Sequence, residues 1–227
     1  MHLALALVAL SLIFSANLYA YPVSVGDTIR FVDAVGNVNA GQYDIYSTGN
    51  NSAFLFSSFC IEKNEYLTFD SQNDGPYFKV AAISDSAVSG GLGGATDGAD
   101  PISNATKWLF WHFTVGDLIQ VSGFTYNNQN SANSLQYAFW QLEQEITNTA
   151  DSLANALIAA ANNATANGFT EGLVSVINLE WVGSWNGYSG QAQDILVASA
   201  PVPEPSTFVL LGAGLLGAAV ARRRMKK

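Results

Sequence analysis

Apolar and polar positions follow three regimes along this chain. Up to about residue 83 the apolar residues are β-branched or aromatic and fall at alternate positions or in short runs. Val25, Ile29 and Phe31, with Thr28 and Arg30 between them, predict a strand within residues 23–35. Residues 42–46, 53–61, 66–69 and 77–83 have strand composition, and Asp74-Gly75-Pro76 supplies a turn before the last of these. From residue 103 the apolar spacing lengthens to three and four. Ser103 or Asn104 can cap a helix carrying Trp108, Leu109, Trp111 and His112, stopped near Gly116. A polar stretch, 126–133, precedes a second helix over about 134–146, where Gln136, Phe139, Trp140 and Glu143 recur at i, i+3, i+4 and i+7. A third helix is expected over about 151–166, closed by Gly168. Strand composition returns at 173–181 and 194–198. Strands, then helices, then strands predict an α+β body, mainly an antiparallel β sandwich or barrel with an inserted helical subdomain of about three helices.

The two ends are apolar in a different way. Residues 3–14 are apolar apart from Ser11, and small or polar residues follow up to Ala20. This is the layout of a signal peptide, residues 1–20, with cleavage expected after Ala20. At the other end, residues 207–221 carry no charge. As a helix this run would span about 22 Å, short of a hydrocarbon core of roughly 30 Å. Pro201, Pro203 and Pro205 precede it and favour an extended, accessible segment. The predicted plan is a leader at 1–20, an exported body at 21–200 and a C-terminal device at 201–227.

Charge sharpens this plan. The chain has 227 residues, 18 acidic and 9 basic. Arg222, Arg223, Arg224, Lys226 and Lys227 fill five of the last six positions, so only Arg30, Lys63, Lys79 and Lys107 remain elsewhere. A basic cluster after an apolar run is retained on the cytoplasmic side and leaves the acidic body outside. An acidic body does not bind nucleic acid, which requires a basic surface. One cysteine and two histidines exclude a disulfide framework and a cysteine-based or multi-histidine metal centre, and no cofactor is expected.

Pro203-Glu204-Pro205, a short Gly/Ala/Leu-rich run over 207–221 and Arg222-Arg223-Arg224 follow one another in order. This tail resembles a PEP-CTERM sorting signal. The resemblance implies an exosortase partner and an inner-membrane intermediate held by the C-terminal transmembrane helix. It further implies delivery to the cell surface or extracellular matrix of a Gram-negative bacterium, in a setting of exopolysaccharide and biofilm. A simple membrane anchor is the plainer alternative, and both place the body outside the cytoplasm.

A lone cysteine in an exported chain is either a small buried hydrophobe or a reactive thiol. Cys60 sits in Phe59-Cys60-Ile61-Glu62, and the second helix carries Leu135-Gln136-Tyr137-Ala138-Phe139-Trp140. Together these segments resemble the thioester domains of bacterial surface adhesins. There an aromatic-Cys-aliphatic motif supplies a thiol, and an apolar-Gln-x-x-apolar-Trp motif supplies a carboxamide. The resemblance implies a bond between Cys60 Sγ and Gln136 Cδ, with Phe59, Phe139 and Trp140 excluding water. The thiolate is the sulfur nucleophile such a step needs. An amine or hydroxyl on a surface polymer or protein would open the bond in a single acyl transfer, without enzymatic turnover. The scarcity of lysine, only Lys63, Lys79 and Lys107 in the body, would limit self-attack. His112 could assist a hydroxyl, although a half-buried histidine on an aromatic helix is the simpler reading.

Other signals are weaker. Residues 70–75 begin like an EF-hand loop, but the closing acid falls at Ala81. Glu143 and Glu145 lie two apart and face different ways, so they do not form a hydrolase pair. Trp108, Trp111, Trp181 and Trp185 could stack on sugars, but aromatics at helical spacing are more often core. The expected function is covalent attachment of an exported surface protein. The alternative is a non-covalent structural or carbohydrate-binding matrix protein with an unreactive cysteine.

Overall fold

A computed structural model of the chain describes residues 19–37, 40–49, 52–68, 75–88, 92–93, 98–169 and 173–201. The expected leader up to residue 18, the Pro203-Glu204-Pro205 motif, the apolar run 207–221 and Arg222-Arg223-Arg224 lie outside the described residues, as does the EF-hand-like stretch 70–74. The chain divides into two units, 21–199 and the joined ends 1–20 with 200–227. In the second of these, β1 (Tyr19–Ala20) pairs antiparallel with β10 (Ala200–Pro201).

The body is α+β. Its main sheet has six antiparallel strands: β2 (Thr28–Asn37), β3 (Ala40–Ser47), β4 (Phe54–Ser58), β5 (Phe78–Ser84), β8 (Val174–Trp181) and β9 (Gln191–Ala198). Their spatial order is β4-β3-β2-β5-β8-β9. A small ribbon pairs β6 (Ser86–Val88) with β7 (Ala99–Pro101). Three helices separate the first strands from the last: α1 (Asn104–Thr114), α2 (Gln129–Leu142) and α3 (Ser152–Ala166).

The helices are set by their caps. Ser103 caps α1 by accepting the Thr106 N–H, and Gly116, at φ 84°, follows its end. Asp151 caps α3 by accepting the Ala154 N–H at 2.8 Å. Helix α2 begins five residues before the expected 134, because Asn128 caps it through the Ser131 N–H at 3.1 Å. Its first residues, Gln129 and Asn130, are polar and exposed, so the apolar period could not mark the start. Gln136 therefore lies in mid-helix.

Two apolar clusters hold the body. One packs Leu109, Phe110, Leu135, Ala138, Phe139, Leu157 and their neighbours against Phe59, Ile61, Val174, Val176 and Leu196. The other gathers Ile29, Phe31, Tyr43, Ile45, Cys60, Phe78, Val80, Ile195 and Val197. Alternation along β9 divides Ile195 and Val197 from Leu196, as a period of two requires. Phe59 and Cys60 are divided in the same way. The expected strand at 66–69 is not formed at Tyr66, Leu67 and Thr68. There Tyr66 stacks on Tyr188, with ring centroids 4.1 Å apart, and aromatic packing takes the place of a ladder.

Candidate functional site

Cys60 lies two residues past β4, outside the regular ladder, and bridges to Ile195 of β9. It is 4% exposed, and Gln136 of α2 is 0% exposed. The two are joined at both ends of one carboxamide. The Cys60 N–H donates to Gln136 Oε1 at 3.1 Å, and Gln136 Nε2 donates to the Cys60 carbonyl oxygen at 2.7 Å. A buried amide left without partners would cost roughly 1–3 kcal/mol, so this pairing fixes the side chain.

Tyr43 of β3 reaches the same point. Its phenol hydrogen-bonds the Cys60 thiol. Burial pushes the thiol pKa well up, against the lowering effect of the Tyr43 bond, and burial likewise pushes the Tyr43 phenol up. The resting sulfur is therefore a protonated, hydrogen-bonded thiol.

A cleft of about 430 Å³ opens beside Cys60, lined among others by Tyr43, Glu62, Lys63, Glu65, Tyr66 and Trp140. Two carboxyls meet on its wall. Glu62 and Glu65 hydrogen-bond to each other, which requires a shared proton. Burial first, then the charges of Asp194 and Glu65, push Glu62 up to about 10. Burial also raises Glu65. Asp194, pushed up to about 7 mainly by burial, accepts the Val88 and Leu179 N–H groups and Asn178 Nδ2.

Two further acids fasten the ends of helices. Glu143 accepts Ser103 N–H, Ser103 Oγ and Thr106 Oγ1, so it holds the start of α1. Glu145 accepts the Lys63 N–H and the Leu92 N–H, each at 2.8 Å. They face different loops, as their spacing required. Burial raises the Glu143 pKa.

Of the three expected shielding residues, Trp140 lines the cleft. Phe59 and Phe139 pack on each other at 5.3 Å within the helical core, on the far side of the strand from the thiol. They support the segment that carries Cys60 and do not form the cleft wall. His112 lies against Trp108, at 4.4 Å between rings, and 3.6 Å from Asp117; it is not part of the cleft. Trp108 and Trp111 pack against the helical core, and Trp181 packs on Phe78 at 4.7 Å. Tyr43, Glu62 and Glu65 were not singled out from the sequence, and Glu145 was weighed only as a partner for Glu143. Only Glu62 carried a signal: two residues from Cys60, it returns to the same side of an extended chain.

Among the described residues no group of His, Cys, Asp and Glu could hold a metal ion, and no helix is long and apolar enough to cross a membrane. No curated protein matches the chain. A solved structure, the N-terminal thioester domain of fibronectin-binding protein SfbI from Streptococcus pyogenes, aligns with 82% of this chain and 98% of its own, at 12% identity and a TM-score of 0.47. Residues 201–224 match the PEP-CTERM protein-sorting motif, and the chain thus carries a sorting signal of that kind after its α+β body.

Proposed function

We propose that this is an exported surface protein, sorted by an exosortase, which attaches covalently to a partner through an internal Cys60–Gln136 thioester. Its route runs through an inner-membrane intermediate to the surface or matrix of a Gram-negative cell. The observation that carries the reading is the double hydrogen bond between the Gln136 carboxamide and the Cys60 backbone.

The bond-forming step is attack of Cys60 Sγ on Gln136 Cδ. The C–N bond breaks, and the thiol proton leaves with the amide nitrogen as ammonia. Negative charge develops on Gln136 Oε1, which already accepts the Cys60 N–H; a fixed donor at that atom favours the tetrahedral state. Holding thiol and carboxamide together removes the entropic part of the barrier, up to about 7–11 kcal/mol in favourable cases. The raised thiol pKa makes the buried sulfur a poor leaving group, which preserves the stored acyl bond. An amine or hydroxyl of a surface polymer or protein would then take the Gln136 acyl group, once per molecule.

The test is intact mass and labelling. Wild type should lack one ammonia relative to its sequence and take up methylamine at Gln136, while Cys60→Ala should do neither. Full mass in both proteins would end the proposal. The second reading is a non-covalent matrix protein. It is favoured by the closed state of the thiol, buried and held by Tyr43. Glycan-array binding that survives Cys60→Ala, together with full wild-type mass, would select it.

A further inference from the structure

The cleft beside Cys60 has an unusual wall. Glu62 is 0% exposed, and apart from its bond to Glu65 it accepts only the Asp194 N–H, at 3.3 Å through Oε2. Glu62 Oε1 and Glu65 Oε2 receive no N–H from any described group. A third buried polar atom in the cleft lining, Trp140 Nε1, also lacks a partner, in a residue 7% exposed. Unpartnered buried polar atoms are rare in folded proteins and call for a reason. Both carboxyls line the same cleft as Cys60. The groups facing the pair are Tyr43 of β3, Cys60, Asp194 of β9, Glu145 beyond α2 and Lys63 at the rim.

The geometry points to the Glu62–Glu65 pair as the proton acceptor for the nucleophile that opens the thioester, and to a protonated primary amine as that nucleophile. This rests on the thioester reading above. Two carboxyls sharing one proton carry a single negative charge, which attracts an ammonium group and disfavours an anionic one. The ammonium gives one proton to the pair, which then holds two. The neutral nitrogen attacks Gln136 Cδ, and the Cδ–Sγ bond breaks. A second proton passes from that nitrogen to the Cys60 sulfur, and the third stays on the new amide. A hydroxyl brings no charge for the pair to attract. The unpaired Trp140 indole N–H offers a donor for an acceptor group next to the amine.

The experiment compares methylamine, an ammonium ion at neutral pH, with hydroxylamine, which is uncharged there. Wild type, Glu62→Gln and Glu65→Gln are first weighed to establish loss of ammonia, and the rate of adduct formation is then followed by mass. Positioned bases contribute about 10²–10⁴-fold. Glu65→Gln should therefore slow methylamine uptake by about 100-fold or more while changing hydroxylamine uptake by less than about 10-fold. Equal slowing of both reagents, or of neither, overturns the assignment. Should both variants fail to form the bond, wild type decides alone. Between pH 6 and 8, uptake limited by free amine in solution rises about tenfold per pH unit. A base in the cleft makes the rise clearly shallower, and a full tenfold slope refutes it. Full mass in wild type would instead fell the thioester reading, and this inference with it.

Discussion

Glu145 Oε2 accepts the Lys63 backbone N–H at 2.8 Å. The bond ties the segment just after Cys60 to the segment just after α2, the helix that carries Gln136. Glu145 is 2% exposed, and its other oxygen holds Leu92. The Cys60–Gln136 contact is thus braced from a second point, and reactive groups gain most from such outer support when small misplacements are costly.

Removing the brace should loosen the pair without touching it. Glu145→Ala is expected to lower the fraction of molecules that lose ammonia, while Glu145→Gln, which keeps one acceptor, should retain most of it. Intact mass after purification reads the fraction directly.

The Gln136 hydrogen bonds should also matter where no covalent bond can form. In a Cys60→Ala background the backbone N–H and carbonyl at position 60 remain. Gln136→Leu there leaves both buried and unpaired, and should cost about 2–4 kcal/mol in chemical denaturation. A loss below about 0.5 kcal/mol would show that water replaces the amide readily.

Opening the thioester should weaken the fold. The bond would span 76 positions of sequence, which the chain-entropy model for cross-links values at about 4–5 kcal/mol as an upper bound. Protein treated with methylamine is expected to denature at lower urea concentration than untreated protein. Cys60→Ala should show no shift on treatment.

Stability should fall as the solution becomes alkaline. Glu62 is pushed from 4.5 in its ordinary state to about 10 in the fold, and Asp194 from 3.8 to about 7. Between those limits the folded state binds more protons than the unfolded state. The contribution is complete below the ordinary values and is lost as pH rises toward the folded ones. Denaturation midpoints at pH 5, 7 and 9 should decline, and Glu62→Gln should flatten the decline.

Lysine placed on the cleft should turn the chemistry inward. Tyr66 lines the cleft and is 44% exposed. Tyr66→Lys is expected to yield a protein that still lacks one ammonia but has a free thiol and no longer takes up methylamine. Unchanged labelling would argue against lysine scarcity as a protection. Lys63→Arg, which removes the native amine at the rim, should leave labelling intact or increase it.

Much of this architecture was legible from residue spacing alone. The helices α1 and α3 follow directly from Ser103, Gly116, Asp151 and Gly168, because caps and stops are local chemistry. The α+β order follows from the change of apolar period near residue 103. The start of α2 was hidden because Gln129 and Asn130 face solvent, where no period is imposed. Tyr66–Thr68 has strand composition, but side-chain stacking on Tyr188 decides its conformation.

The sequence by itself determined the division of the chain into an apolar N-terminal run, an acidic body and a sorting tail, since charge and apolar runs act without a fold. It also marked Cys60 and Gln136 as a pair. Only the tertiary structure decided what surrounds them. Residues far apart in sequence, Tyr43, Glu65, Glu145 and Asp194, gather around Cys60 because β3, the segment after β4, β9 and the end of α2 converge there. Alternation along the backbone sent Phe59 into the helical core and left Cys60 on the other side with Tyr43. The electrostatics of the cleft arise from that convergence, because burial raises a carboxyl pKa only after the whole sheet has removed the group from water.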